Sequence, residues 1–379
     1  MKKYITIKVG KVLSLIICIV TLFLFIVVVL IWSPGKVTPF LDESNNEMIG
    51  SIAEKISIQI NDTKQGMVIR GKDINNPILL FLHGGPGMPE YFLFEKYSTE
   101  LENHFVVCFL EQRGTGLSYN SDLQAEDITA TQLISDTIDV TNYLRERFGQ
   151  EKIHLMGHSW GTFLGIQVAA KKPELFHAYI GVSQISKQLE SEKPAYNFML
   201  QEYTQLNDTK MLKKLEKYPI HENDSSLYSY LFSNLRDEAM HKLGIGTMKN
   251  MDSVISGIFF PIMQCRAYTF TEKLNVWRGK AFLKNSTSLH KTMYSTDLTV
   301  MVAKLEIPIY FIHGLSDYTV SYELALEYFQ NIKAPIKGFY TFESSAHSPM
   351  FEEPKKFLNI MLADVLNANT AMVDEVSCS

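Results

Sequence analysis

Residues 153–161 read IHLMGHSWG: an apolar run, Ile153–Met156, then a serine between Gly157 and Gly161. The run has the length and composition of a buried strand. Thr162–Lys171 follows with helix-forming residues, and Pro173 stops it. A serine on a tight turn from strand to helix lifts its hydroxyl clear of the backbone, as an activated nucleophile requires. The same five residues also suit a plain polar turn. The rest of the chain has to decide between the two.

Outward from this point, strands and helices alternate. Ile52–Ile60 and Gln65–Arg70 have strand patterns joined by a turn at Asn61-Asp62, which predicts an antiparallel hairpin. PILLFL (77–82) and FVVCFL (105–110) are short continuous apolar runs, as expected of strands buried on both faces. Residues 129–147 carry apolar positions at helical spacing. Lys152–Met156, His177–Val182, Ile307–Ile312 and Ile336–Phe342 supply further strands, and Pro354–Leu366 reads as a closing helix. Such alternation predicts an α/β fold with a mainly parallel sheet flanked by helices. Residues 187–303 break the pattern with helix formers, aromatics and methionines, and they predict an inserted helical cap. The expected organisation is a core in two parts, 51–186 and 304–367, around that cap, with a tail at 368–379.

The chain has 379 residues, 46% of them hydrophobic and 20% charged, so it can build a full core. A net charge of −5 without a basic run argues against nucleic-acid binding. The four cysteines, Cys18, Cys108, Cys265 and Cys378, are far apart and read as free thiols. No histidine spacing suits a metal, and no Gly-x-Gly-x-x-Gly follows the first strands, so neither metal nor cofactor is expected.

Val12–Trp32 carries no charge, and as a helix it would be about 30 Å long, the thickness of a bilayer core. Lysines precede it in residues 1–11, and acids follow in a linker over 33–50. This pattern predicts an uncleaved single-pass anchor at 12–32, a cytoplasmic N-terminus, and a catalytic domain outside the cell membrane.

A serine hydroxyl is a weak nucleophile without a base, an acid to orient that base, and donors for the oxyanion. The chain offers each in turn. His83-Gly84-Gly85-Pro86-Gly87 follows the strand PILLFL, and glycines there free backbone N–H groups. Gly85 and Trp160, the residue after the serine, are the expected oxyanion donors. Asp317 follows the strand IPIYFI, where the carboxyl end of a strand faces the ligand crevice. His347 follows the strand IKGFYTF. Ser159, Asp317 and His347 are thus expected as nucleophile, orienting acid and general base. Glu343 is a rival acid, four residues before His347. His83 is expected to brace the glycine loop, and His158 to turn away from the substrate.

HGGPG (83–87), EQRGTGLS (111–118), GHSWG (157–161), GLSD (314–317) and SAHSPMFEEP (345–354) together resemble the proline iminopeptidase branch of the α/β-hydrolases, over roughly residues 52–365. The resemblance implies the same three residues in the same roles. Glu111 stands where the family usually has Asp, in what is expected to be a bracing loop. The family holds the substrate's amino end with acids, largely from the cap. A common variant puts Glu directly after the triad Asp, but Tyr318 stands here. Glu190, Glu192, Glu202, Glu238 and Glu272 are the cap acids available for that task, and spacing does not choose among them. The expected function is a serine hydrolase releasing N-terminal residues from short peptides. The alternatives are an esterase, lipase or amidase on small acyl substrates, or a hydrolase fold that only binds.

Overall fold

The structure is a computed structural model that describes residues 2–31, 33–221 and 224–373. Eight strands form one sheet in the order β1-β2-β4-β3-β5-β6-β7-β8. They are β1 (Ile52–Ile60), β2 (Thr63–Gly71), β3 (Ile78–Leu82), β4 (Val106–Leu110), β5 (Ile153–His158), β6 (Phe176–Val182), β7 (Ile309–Gly314) and β8 (Lys337–Phe342). β1 and β2 pair antiparallel as the expected hairpin, β2 pairs antiparallel with β4, and every pairing from β4 onward is parallel.

The central strands are buried on both faces, and their alternate side chains feed two different cores. Ile78, Leu80 and Leu82 of β3 join one, and Leu79 and Phe81 join the other. This explains why β3 and β4 show no polar alternation in sequence: neither face meets water.

Helix α1 spans Lys2–Ile31, α2 Tyr91–Lys96, α3 Ala130–Phe148 and α4 Trp160–Lys171. Thr129 caps α3 by accepting the Gln132 N–H, and Gly149 ends it at φ 65°. Between β6 and β7 lie the helices of the cap: α5 (Gln188–Gln205), α6 (Thr209–Leu215), α7 (Asp224–Leu231), α8 (Leu235–Lys242), α9 (Phe260–Gln264), α10 (Phe270–Ser286), α11 (Leu289–Ser295) and α12 (Leu298–Met301). α13 (Tyr322–Asn331) separates β7 from β8. The single closing helix predicted over 354–366 is instead a short α14 (Pro349–Glu352), α15 (Pro354–Ile360) and a wider π turn at Met361–Val365.

The N-terminal expectation needs correction. Among the described residues, no helix is long and apolar enough to cross a membrane. The anchor over 12–32, the membrane as a partner and the placement outside the cell membrane are therefore not supported. Met1, Trp32 and Cys378 lie outside the described residues. The predicted linker 33–50 packs on the domain: Ser33 donates to the Arg266 carbonyl, Val37 is buried, and Arg70 sits 4.4 Å from the Phe40 ring centroid. Cys18, Cys108 and Cys265 are free thiols.

Candidate active site

Ser159 occupies the turn between β5 and α4 at φ 53°, ψ −120°, a conformation that L side chains rarely adopt. Two hydrogen bonds hold it there. Its N–H donates to the Val182 carbonyl at 3.0 Å, and its carbonyl accepts the Thr162 N–H at 2.8 Å. The flanking glycines are needed for space. A Cβ at Gly157 would lie 2.4 Å from the Gly161 oxygen, and one at Gly161 would lie 2.0 Å from the Leu82 oxygen. β3, β5 and α4 therefore approach too closely for any side chain.

The loop after β3 packs against this turn. A Cβ at Gly84 would be 3.2 Å from the Ser159 Cβ. Gly85 has φ 119°, and a Cβ on it would meet the Gly87 nitrogen at 2.4 Å. Among the described residues, neither the Gly85 N–H nor the Trp160 N–H has a hydrogen-bond acceptor. The loop 111–118 braces both neighbours. Gln112 donates its backbone N–H to His83 Nε2 at 3.1 Å and its side-chain amide to the His83 carbonyl at 2.9 Å. Its Oε1 accepts the Trp160 indole N–H at 2.9 Å. Arg113 is fixed by a buried ion pair with Asp136 at 2.7 Å. Glu111 accepts the Leu117 N–H and the Tyr268 hydroxyl. Burial pushes its carboxyl up to about 7 in spite of these bonds.

Asp317 lies beyond the end of β7, fully buried. Its Oδ1 accepts the N–H groups of Thr319 and Val320, both at 2.9 Å. Its Oδ2 lies 2.8 Å from His347 Nδ1 and 3.2 Å from His313 Nε2. Burial opposes the charge, but His347 and His313 outweigh it and hold the carboxyl well below the usual range. Burial likewise holds His347 below its ordinary value although Asp317 works the other way. With Nδ1 engaged by Asp317, Nε2 is the nitrogen left to take up a proton. Glu343 is exposed and makes no bond to His347. The His347 loop is held by the acids of the following segment: Glu352 accepts the Ala346 N–H, and Glu353 accepts the Ser345 hydroxyl.

Ser159, His347 and Gly85 line one cleft of about 210 Å³ between the sheet and the cap. Two residues that matter here were not singled out by sequence. Glu90 accepts the Gly84 N–H at 3.0 Å and lies 2.9 Å from His158 Nδ1, while His158 Nε2 lies 2.8 Å from the His347 carbonyl. His158 lies at the cleft with its side chain buried and ties all three loops together. Burial opposes its charge, but Glu90 outweighs burial and raises the imidazole above its ordinary value. His313 is the other, packed flat beside Phe339 beneath Asp317. A glutamate leading into the apolar run YFLF, and a histidine four residues before the acid, were the available signals.

None of the five candidate cap acids lines the cleft. Glu192 is buried against Arg236 at 2.7 Å, Glu272 pairs with Lys55, Glu238 with Lys214 and Lys242, and Glu190 with Lys187. The acids that do line it are Glu90 and Asp237. Tyr318 stacks on Phe198 with ring centroids 4.1 Å apart.

A central parallel sheet, a serine on a strained strand-to-helix turn, and a cap inserted after β6 define a class of hydrolases. The α/β hydrolase fold family model matches residues 77–354, and the chain belongs to that family as a hydrolase. Within it, the chain is of the proline iminopeptidase-like kind. It is 33% identical over 314 residues to the "Probable aminopeptidase YbaC" of Bacillus subtilis, covering 82% of this chain and 96% of that protein. It is 27% identical over 301 residues to a proline iminopeptidase of Saccharolobus solfataricus, covering 76% and 84%. Among solved structures, the proline iminopeptidase of Mycobacterium smegmatis superposes with a TM-score of 0.59 at 16% identity, over 83% of this chain and 98% of that one. An epoxide hydrolase from Vigna radiata, at a TM-score of 0.50, shares the fold as well, so the fold alone does not select the reaction.

Proposed function

We propose that the protein is a serine aminopeptidase that releases N-terminal residues from short peptides, proline first among them. The observation that carries this reading is the meeting, in one cleft, of the strained Ser159 and a His347 whose Nδ1 is held by buried Asp317. In this reading His347 takes the Ser159 proton as the hydroxyl attacks the scissile carbonyl, then donates it to the leaving amine. The Gly85 and Trp160 N–H groups stabilise the oxyanion. Water, deprotonated by the same histidine, releases the acyl group. Asp237 is the residue assigned to the substrate's amino end, because it is the cap acid that lines the cleft. The peptidase assignment, over an esterase, draws on the relatives at 33% and 27% identity.

The test compares proline nitroanilide, its N-blocked form and a short-chain nitrophenyl ester, with wild type and Ser159→Ala. Serine-dependent cleavage of the free amide, lost on blocking, is the expected result. Cleavage of the ester alone would overturn the peptidase reading and leave an esterase. Full activity in Ser159→Ala would overturn both.

A further inference from the structure

The charged groups along the cleft do not balance. Glu90 is matched by His158, and Arg236 by buried Glu192. Asp237 stands 3.5 Å from Arg236, with its side chain about half exposed. α10 contributes Lys280 and Lys284 to the same cleft, one helical turn apart and so on one face. Neither has an ion pair or a hydrogen bond among the described residues. The Lys280 ammonium stands 5.9 Å from the Trp277 ring centroid. His290, at the start of α11, also lines the cleft and has a buried Nδ1 without a partner.

The helix that carries the two lysines is held against the loops of the site. α10 lies directly on the glycine loop: a Cβ on Gly87 would come within 3.4 Å of the Lys280 Cα, and one on Gly279 within 2.5 Å of the Gly114 oxygen. The helix is fixed by a capping box between Thr269 and Glu272, and Glu272 is itself anchored to Lys55 at 2.7 Å. Burial lowers the Lys280 ammonium, against the pull of Asp237, so it stands to gain from an added counter-charge. Two unpaired ammonium groups and a histidine on a rigid wall suit a carboxylate better than an apolar or cationic group.

We propose that Lys280 and Lys284, flanked by His290, form an anion subsite, so that the substrate carries a carboxylate as well as its free amino end. The carboxylate is either the side chain of an acidic first residue or the C-terminus of a very short peptide. This deepens the peptidase reading and rests on it for the amino end. The subsite itself is a property of the cleft and can be read with esters too.

The experiment uses the full chain and matched pairs differing only in charge. Glutamyl against glutaminyl nitroanilide reads the side-chain source, and Pro-Gly against Pro-Gly amide reads the C-terminal source. Mono-nitrophenyl glutarate against nitrophenyl pentanoate reads the subsite without any peptide. The expected result is a kcat/KM preference of at least tenfold for the charged member of one peptide pair and of the ester pair, carried mainly by KM. In Lys280→Met/Lys284→Met the ratio falls to within twofold of one, and Lys280→Arg/Lys284→Arg keeps most of it. Melting curves establish that each variant is folded. Wild-type ratios near one in every pair overturn the subsite without any variant, as does a preference that survives the double Met substitution. If the amides resist while esters are cut by a Ser159-dependent route, the peptidase reading fails, and the ester pair alone decides the subsite.

Discussion

Asp317→Asn separates an orienting acid from a merely buried one. The carboxylate accepts three bonds: two backbone N–H groups on Oδ1 and His347 Nδ1 on Oδ2, while His313 Nε2 stands 3.2 Å from Oδ2 and is engaged by the Val320 carbonyl. Asparagine keeps an oxygen for Thr319 and Val320, but places an NH2 where His347 donates. His347 then relaxes only by carrying its proton on Nε2, with Nδ1 as acceptor. That tautomer cannot take a proton from Ser159. The expected loss in kcat is about 10³–10⁴-fold, or roughly 4–5 kcal/mol of transition-state stabilisation. The loss of one charged hydrogen bond removes about 2 kcal/mol of stability, so the protein stays folded. The acid limb of stability changes as well. A carboxyl held below its unfolded value stabilises the fold above pH about 4 and ceases to do so as pH falls through the folded value. The variant lacks this contribution, so its stability falls less steeply below pH 4. Steady-state kinetics at pH 7–9 and denaturant curves at pH 2.5–7 test both. Activity within tenfold of wild type, in a preparation where Ser159→Ala is inert, would refute the reasoning and return Glu343 or another acid to consideration.

Glu90→Leu leaves the Gly84 N–H and His158 Nδ1 without their acceptor, and should cost about 3–5 kcal/mol by denaturant unfolding; a loss under 1 kcal/mol would mean the three loops are held together by other contacts. Glu111→Gln should change the pH dependence of stability. Wild-type Glu111 holds its proton up to about pH 7 against 4.5 unfolded, so its contribution is complete below 4.5 and lost as pH rises through 7, by at most about 3 kcal/mol. The stability of the Gln variant relative to wild type should therefore rise over that window, and a constant difference between the two curves would contradict it. Gly161→Ala should destabilise by about 3 kcal/mol or more, because its Cβ would lie 2.0 Å from the Leu82 oxygen. Gly149→Ala meets nothing within 4 Å and should cost only about 1 kcal/mol for its left-handed φ; equal melting temperatures would contradict the contrast.

Local pattern was enough to place the strands of the sheet, the helical insertion after β6, and the loops carrying Ser159, Asp317, His347 and the glycines. Each of these follows from near-neighbour chemistry. An apolar run five or six residues long must be buried on both faces, and a Gly-x-Ser-x-Gly after it leaves space for nothing but a tight turn. Spacing along the chain carries no such information about charge pairing between distant segments. Glu192 looked like any acid on a helix, and only packing showed it spent on Arg236. Glu90 and His158 are 68 residues apart, and their pairing depends on the loop after β3 lying against the turn after β5. Lys280 and Lys284 are ordinary helix lysines in sequence. They face the cleft because Gly87 and Gly279 let α10 settle on the loops beneath it. The N-terminal run shows the opposite limit: an apolar composition proposes a destination for a helix, whereas its environment has to be found in the folded chain.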